Sequence, residues 1–203
     1  MSKFVYISAD YALNNGDREV IDELHKWGQD ALHKVDYYDT ATVASGSVSD
    51  NDDCRPCDLK AEFNRQINKS SAVIFIIGDK TKDRTAGSSC NRINEGERCS
   101  CTPYKENTKG AITCKVYGVL STPNPDEDVG RINSYSYLKH EFMQAIKKNK
   151  SFIIVYNAFN HQSGWLPSYM SDYEEDAHPF WKKNAFGEKV GDYQYIKKAL
   201  GYE

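Results

Sequence analysis

Ala72-Val73-Ile74-Phe75-Ile76-Ile77 is an unbroken apolar run, closed by Gly78-Asp79. Six such residues ending in a turn pair read as a strand buried on both faces, which means the interior of a parallel sheet. The other elements arrange themselves around it. Upstream, Lys3–Ser8 is short, β-branched and aromatic, and reads as the first strand. Asn14-Asn15-Gly16-Asp17 supplies turn and cap chemistry. Val20, Leu24, Trp27 and Ala31 then recur at helical spacing, so a helix is expected over about 17–33. Val35–Tyr38 reads as a short strand ended by Asp39. Leu59, Phe63 and Ile67 mark a second helix with Asp58 near its start.

Downstream the pattern breaks. Residues from about 80 to 134 are polar, hold four of the six cysteines, and contain one strand-like piece, Ala111–Leu120. A plain loop of that size is rare inside a compact domain. The stretch reads as an insertion, with a hairpin turn at Glu106–Gly110. Helical periodicity returns over Tyr135–Asn149, with Leu138, Phe142, Ala145 and Ile146 on one face. Lys147, Lys148 and Lys150 sit at its C-terminal end, where the helix dipole favours cations. Ser151–Tyr156 is another buried strand. Residues 160–190 show no clear period, and Tyr193–Leu200 reads as a terminal helix.

The order strand, helix, strand, helix, strand, insertion, helix, strand gives, with right-handed crossovers, a flavodoxin-like doubly wound parallel α/β sheet in a single domain over 1–203. Ligands of such sheets sit outside the carboxyl ends of the strands, where strand order reverses. That rule directs attention to Tyr6, Ser8, Asp10 and Tyr11 at the end of the first strand and just beyond it, Gly78 and Asp79 after the third, Asn157 after the next, and whatever the helix before it presents. Each has a plainer reading. The Tyr6 ring either faces a ligand or fills the core. Ser8 and Asp10 either bind ribose or phosphate or shape a turn. Asn157 is also an ordinary strand-ending residue, and Lys139 meets a phosphate or is solvated.

Glu141 stands out. It falls on the shoulder of the apolar helix face and has no Lys or Arg at i+4 or i−4, where surface ion pairs form. It is either a solvated helix carboxylate or a group turned inward for chemistry.

The bulk numbers narrow the classes. A net charge of −3 over 203 residues is not the basic surplus of a nucleic-acid binder. The mean hydropathy is −0.70. No stretch approaches the roughly 18 apolar residues of a membrane span. Met1–Ser8 is too short and too quickly polar for a signal peptide, so a cytoplasmic location is expected, with free thiols in place of disulfides. Cys54-Arg55-Pro56-Cys57 is the only C-x-x-C, and Cys99-Ser100-Cys101 is tighter than zinc pairs usually are. The acidic run Asp50-Asn51-Asp52-Asp53 before Cys54 disfavours a reactive thiolate. No metal is expected.

Lys3–Ser8, Val73–Gly78, the Tyr137…Glu141 spacing and Val155-Tyr156-Asn157-Ala158-Phe159 together resemble the TIR-like domain of bacterial antiphage proteins of the Thoeris type. His178-Pro179-Phe180 is similar to a Pro-Phe segment near the end of that family. TIR enzymes carry an aromatic residue, usually Trp, four residues before a catalytic Glu. Tyr137 takes the aromatic position here and Glu141 the acid position. The resemblance covers most of the chain outside 80–134. It implies cleavage of the nicotinamide–ribose bond of NAD, a substrate and not a cofactor, to give a signalling nucleotide, cyclic by expectation, with activity silent until triggered. It also implies a companion effector reached through that nucleotide, a phage-derived activator and a homo-oligomer. Tyr for Trp and the long insertion are departures from the pattern. Two other classes remain open: a non-enzymatic TIR interaction module, and another N-glycosidase such as a nucleoside deoxyribosyltransferase-like enzyme.

Overall fold

A computed structural model describes residues 3–9, 17–29, 35–40, 55–84 and 136–202, with the side chains of 55–58 and 61 outside that description. The elements are β1 (Lys3–Ala9), α1 (Asp17–Gly28), β2 (Val35–Asp39), α2 (Arg55–Lys69), β3 (Ala72–Ile77), α3 (Tyr137–Lys147), β4 (Ser151–Tyr156), β5 (His178–Pro179), β6 (Trp181–Lys183), β7 (Lys189–Gly191) and α4 (Tyr193–Ala199).

The main sheet runs β2-β1-β3-β4-β5, and every neighbouring pair is parallel. This is the flavodoxin-like order, with β2 and β3 on opposite sides of β1. The 72–77 run lies at its centre, and all six of its residues are buried. The two faces separate by residue parity, as the strand period of two requires. On one face Val5, Ile7, Ile74, Ile76 and Val155 pack under Val20, Ile21 and Leu24 of α1 and Ile196 and Leu200 of the terminal segment. On the other, Tyr6, Val73, Phe75, Ile77 and Tyr156 pack under Leu59, Phe63 and Ile67 of α2 and Leu138, Phe142 and Ala145 of α3. Burying that much aliphatic and aromatic surface is the main driving force, at about 25 cal/mol per Å² of apolar area.

Several boundaries differ from the sequence reading. The first helix ends at Gly28, short of 33. A Cβ at Gly28 would sit 2.9 Å from the Val35 carbonyl oxygen, so the helix end lies directly against β2. The second strand includes Asp39, which meets His25 of α1 at 2.6 Å. The third helix spans Tyr137–Lys147, narrower than 135–149, because the Ser136 hydroxyl caps it by accepting from the Lys139 amide at 3.1 Å. Residues 160–190, aperiodic in sequence, form single turns and then the β5 edge strand and the antiparallel β6–β7 pair. Elements this short leave no period to detect. The 85–134 part of the expected insertion, including Ala111–Leu120 and Glu106–Gly110, lies outside the described residues. So do the acidic loop 50–53, Asp10, Tyr11 and the side chains of all six cysteines.

The connection from α3 to β4 shows how the chain is turned. The Asn149 amide donates to the Ile146 carbonyl and the Lys150 amide to the Ala145 carbonyl, both at 2.9 Å, with Asn149 at φ 48°. This is a Schellman cap, whose left-handed position accepts Gly or Asn. Lys150 was expected to serve its own helix end. Instead its ammonium donates to the Asn68 and Ser70 carbonyls, each at 2.8 Å, and so caps α2. One short loop therefore terminates two helices.

Asn149→Ala should cost about 1 kcal/mol in urea unfolding, and Asn149→Gly should be neutral or better. Equal losses for both would show that the left-handed backbone is not what Asn149 provides.

Candidate active site

Tyr6 and Ser8 lie two residues apart on β1, so their side chains share the face covered by α2 and α3. Glu141 reaches that face from the second turn of α3 and is fully buried. The Tyr6 hydroxyl donates to Glu141 Oε1 at 2.5 Å. The Ser8 hydroxyl donates to Oε2. Thr40, directly after β2, places its hydroxyl 3.4 Å from Oε1 and 3.2 Å from the Ile7 carbonyl, both as donor, and 3.3 Å from the Tyr6 oxygen. Three hydroxyls from two adjacent strands thus converge on one carboxylate of a facing helix. Both carboxylate oxygens accept, as buried polar atoms require. The arrangement holds Glu141 at the carboxyl end of β1, beside the point where strand order reverses.

The helix pair that delivers Glu141 is braced by His140. Its Nε2 lies 3.2 Å from the Lys60 carbonyl of α2, so that nitrogen carries the hydrogen. Burial first, and the Lys60 charge second, push the imidazole down to about 3, outweighing the backbone hydrogen bond. His140 is neutral at physiological pH. It is a strut between α2 and α3. Its helix neighbour Gln144 makes a second link, donating to Asn68 Oδ1 at 2.8 Å.

A second polar cluster forms at the carboxyl ends of β3 and β4. Asp17 opens α1, where a carboxylate suits the positive end of the helix dipole, and it is buried. Asn157 Nδ2 donates to Asp17 Oδ1 at 3.1 Å, and Trp181 Nε1 donates to Asn157 Oδ1 at 2.7 Å. A Cβ at Gly78 would lie 2.7 Å from Asp17 Oδ1, so only glycine lets the carboxylate approach the end of β3. The Gly78 amide donates to Thr81 Oγ1 at 2.8 Å.

The chain matches no known family model, no curated protein and no solved structure. The site therefore rests on its own geometry.

Among the residues singled out in sequence, Tyr6, Ser8 and Glu141 come together. Gly78 and Asn157 meet in the Asp17 cluster. Tyr137 is half-buried and packs edge-to-face on Phe63, ring centroids 5.5 Å apart. Asp79 is exposed. Lys139 lies over the Tyr169 ring, 5.6 Å from its centroid. Thr40 and Asp17 were missed. Thr40 follows a strand read as ending at Asp39, which was a signal, since parallel neighbours end on the same edge. Asp17 looked like cap chemistry, which it is, and nothing in its neighbours announces its burial. No group of three or more metal-ligating side chains occurs among the described residues.

His140 makes stability depend on pH. The unfolded imidazole binds its proton below about 6.5 and the folded one only near 3. Stability is fully present above about 6.5 and falls as pH drops from there toward 3. Between pH 7.5 and 5, wild type should lose roughly 2 kcal/mol more in urea unfolding than His140→Gln does. Equal losses would contradict a neutral buried His140.

Proposed function

We propose that this protein is a TIR-like enzyme that cleaves the nicotinamide–ribose bond of NAD, releasing nicotinamide and a signalling nucleotide in antiphage defence. The observation that carries the reading is the Glu141 carboxylate, fixed by the Tyr6, Ser8 and Thr40 hydroxyls at the strand-order reversal. The sequence resemblance places the family's acid at this same residue.

The chemistry suits a single carboxylate. Heterolysis of the C–N bond sends its electron pair to the pyridine nitrogen, and nicotinamide, cationic in NAD, leaves neutral. No general acid is needed. The ribose becomes oxocarbenium-like, as in glycoside hydrolysis. A negative carboxylate beside it hydrogen-bonds the ribose hydroxyls and stabilises the developing positive charge. Such preorganised electrostatic help is commonly worth about 10²–10³ in rate. Attack by water gives ADP-ribose and releases a proton; attack by a nucleophile within the same molecule gives a cyclic product. A companion effector would read that product.

One observation favours a second reading. Glu141 is wholly enclosed and satisfied by protein donors, which is also how a structural buried carboxylate looks. On that reading the protein is an interaction module and Glu141 holds α3 to β1.

Purified wild type and Glu141→Gln, each incubated with NAD with and without extract of phage-infected cells, separate the two. Nicotinamide release by wild type, reduced at least about 10²-fold in Glu141→Gln, supports the enzyme. No release by either, with the cellular effect intact in Glu141→Gln, overturns it in favour of the module.

A further inference from the structure

The β6–β7 hairpin ends in the turn Asn184-Ala185-Phe186-Gly187-Glu188. The Asn184 side-chain oxygen accepts from the Phe186 amide at 2.9 Å and from the Glu188 amide at 3.0 Å. The Asn184 amide donates to the Glu188 carbonyl and the Gly187 amide to the Asn184 carbonyl, both at 3.0 Å. Asn184 Nδ2 donates to Glu188 Oε2 at 2.7 Å. Gly187, at φ 81°, supplies the left-handed position that closes the turn. Out of this frame stands the Phe186 side chain, 88% exposed. A single exposed aromatic is ordinary on a protein surface. One whose backbone is held by five hydrogen bonds has little backbone freedom left to lose when it is buried.

A cavity lies elsewhere on the same chain. It measures about 310 Å³ and flanks the first half of β4, lined there by Phe152, Ile153 and Ile154, with Tyr173, Asp176, Tyr195 and Ala199 around it. That is the small end of the range of ligand pockets, about 300–1,000 Å³, and ample for one phenyl group. The lining is preformed. Tyr195 stacks on His178, centroids 3.8 Å apart, and donates its hydroxyl to the Asp176 carbonyl at 3.3 Å. Tyr173 packs edge-to-face on Phe152, centroids 5.1 Å apart. Charge also matches. The hairpin carries Lys182, Lys183 and Lys189 against one acid, Glu188. Asp172-Tyr173-Glu174-Glu175-Asp176, which supplies two lining residues, carries four acids and no base. Lys197 and Lys198, next to Ala199, offset part of this and leave the balance acidic. Lys182 and Lys189 also serve Asp192 and Glu19 of their own chain, so the attraction rests chiefly on Lys183.

We propose that Phe186 of one copy enters this cavity of a second copy, with Lys183 facing the acidic 172–176 turn, so that the chain associates head to tail. Phe186 is exposed, so it does not fill the cavity of its own chain. The hairpin lies by the first turn of α1, where Lys189 meets Glu19, at the carboxyl end of the sheet; the cavity lies at the amino half of β4. Two different surfaces make the contact heterologous. A copy that accepts a phenyl group still offers its own, and association continues until a closed circle forms. One aromatic anchor with rim charges is a small contact, so the association is transient. It stands apart from the NAD-cleaving reading and holds for an enzyme and an interaction module alike.

Sedimentation velocity on the full chain, from micromolar to millimolar concentration, tests the contact. The mean mass of wild type should rise with concentration, and salt should oppose the rise. Phe186→Ser should weaken association roughly 10–100-fold. Ala199→Trp, at an exposed position of the lining, should do the same by filling the cavity. Asp176→Lys, also exposed, is the second cavity variant if Ala199→Trp disturbs the fold. The decisive sample is an equimolar mixture of a Phe186→Ser chain and a cavity variant. The first keeps its cavity and the second keeps its Phe186, so each alone should stay a monomer while the mixture pairs one to one and stops there. Wild type that stays monomeric throughout overturns the proposal. So does association that survives Phe186→Ser, or a mixture that does not pair.

Discussion

A carboxylate enclosed by an apolar core must be given donors or give up its charge. Around Glu141 that requirement organises the fold. Tyr6 and Ser8 satisfy it only because β1 presents both on one face. Thr40 joins only because β2 lies parallel to β1 in a register that ends both strands at the same edge. Glu141 arrives only because α3 packs on α2 through His140 and Gln144, with the edge-to-face aromatic contacts of Phe142 on Phe75 and Phe152 setting its height over the sheet. Removing one donor from a buried acceptor costs about 1–3 kcal/mol, and more for a charged one. The network is therefore a source of specificity for the arrangement and a cost to the protein if any member is lost.

Such a network is ambiguous by nature, since structural and catalytic carboxylates are satisfied in the same way. What separates them is position. Glu141 lies at the carboxyl end of β1, beside the point where strand order reverses, and both of its oxygens accept from hydroxyls. The Asp17–Asn157–Trp181 chain is the companion feature on the β3 and β4 side. It ties α1, β4 and β6 together, and Gly78 gives the room it needs.

Much of this was legible in the sequence because the signals were long or absolute. A six-residue apolar run cannot be anything but a central strand in this company, and it fixed the topology around β3. Glu141 was legible for a different reason: it sat on the shoulder of an apolar helix face with no Lys or Arg at i+4 or i−4. Its hydroxyl partners were only half legible. Tyr6 and Ser8 followed from the crevice rule, whereas Thr40 depends on where β2 ends, and strand ends shift by a residue with tertiary pairing. Residues 160–190 were opaque because two- and three-residue strands carry no period. Lys150 was read as serving its own helix, since sequence neighbours reveal α3 and not the α2 terminus that tertiary packing brings beside it.

The most direct test of whether Glu141 meets a ligand is carbon-13 NMR of its side-chain carboxyl in glutamate-labelled protein, the signal assigned by its loss in Glu141→Gln, followed as NAD is added. The account predicts that this one carboxyl shifts with saturating NAD, ahead of any other glutamate. A Glu141 carboxyl that stays in place while NAD perturbs other residues, or perturbs none, would contradict it.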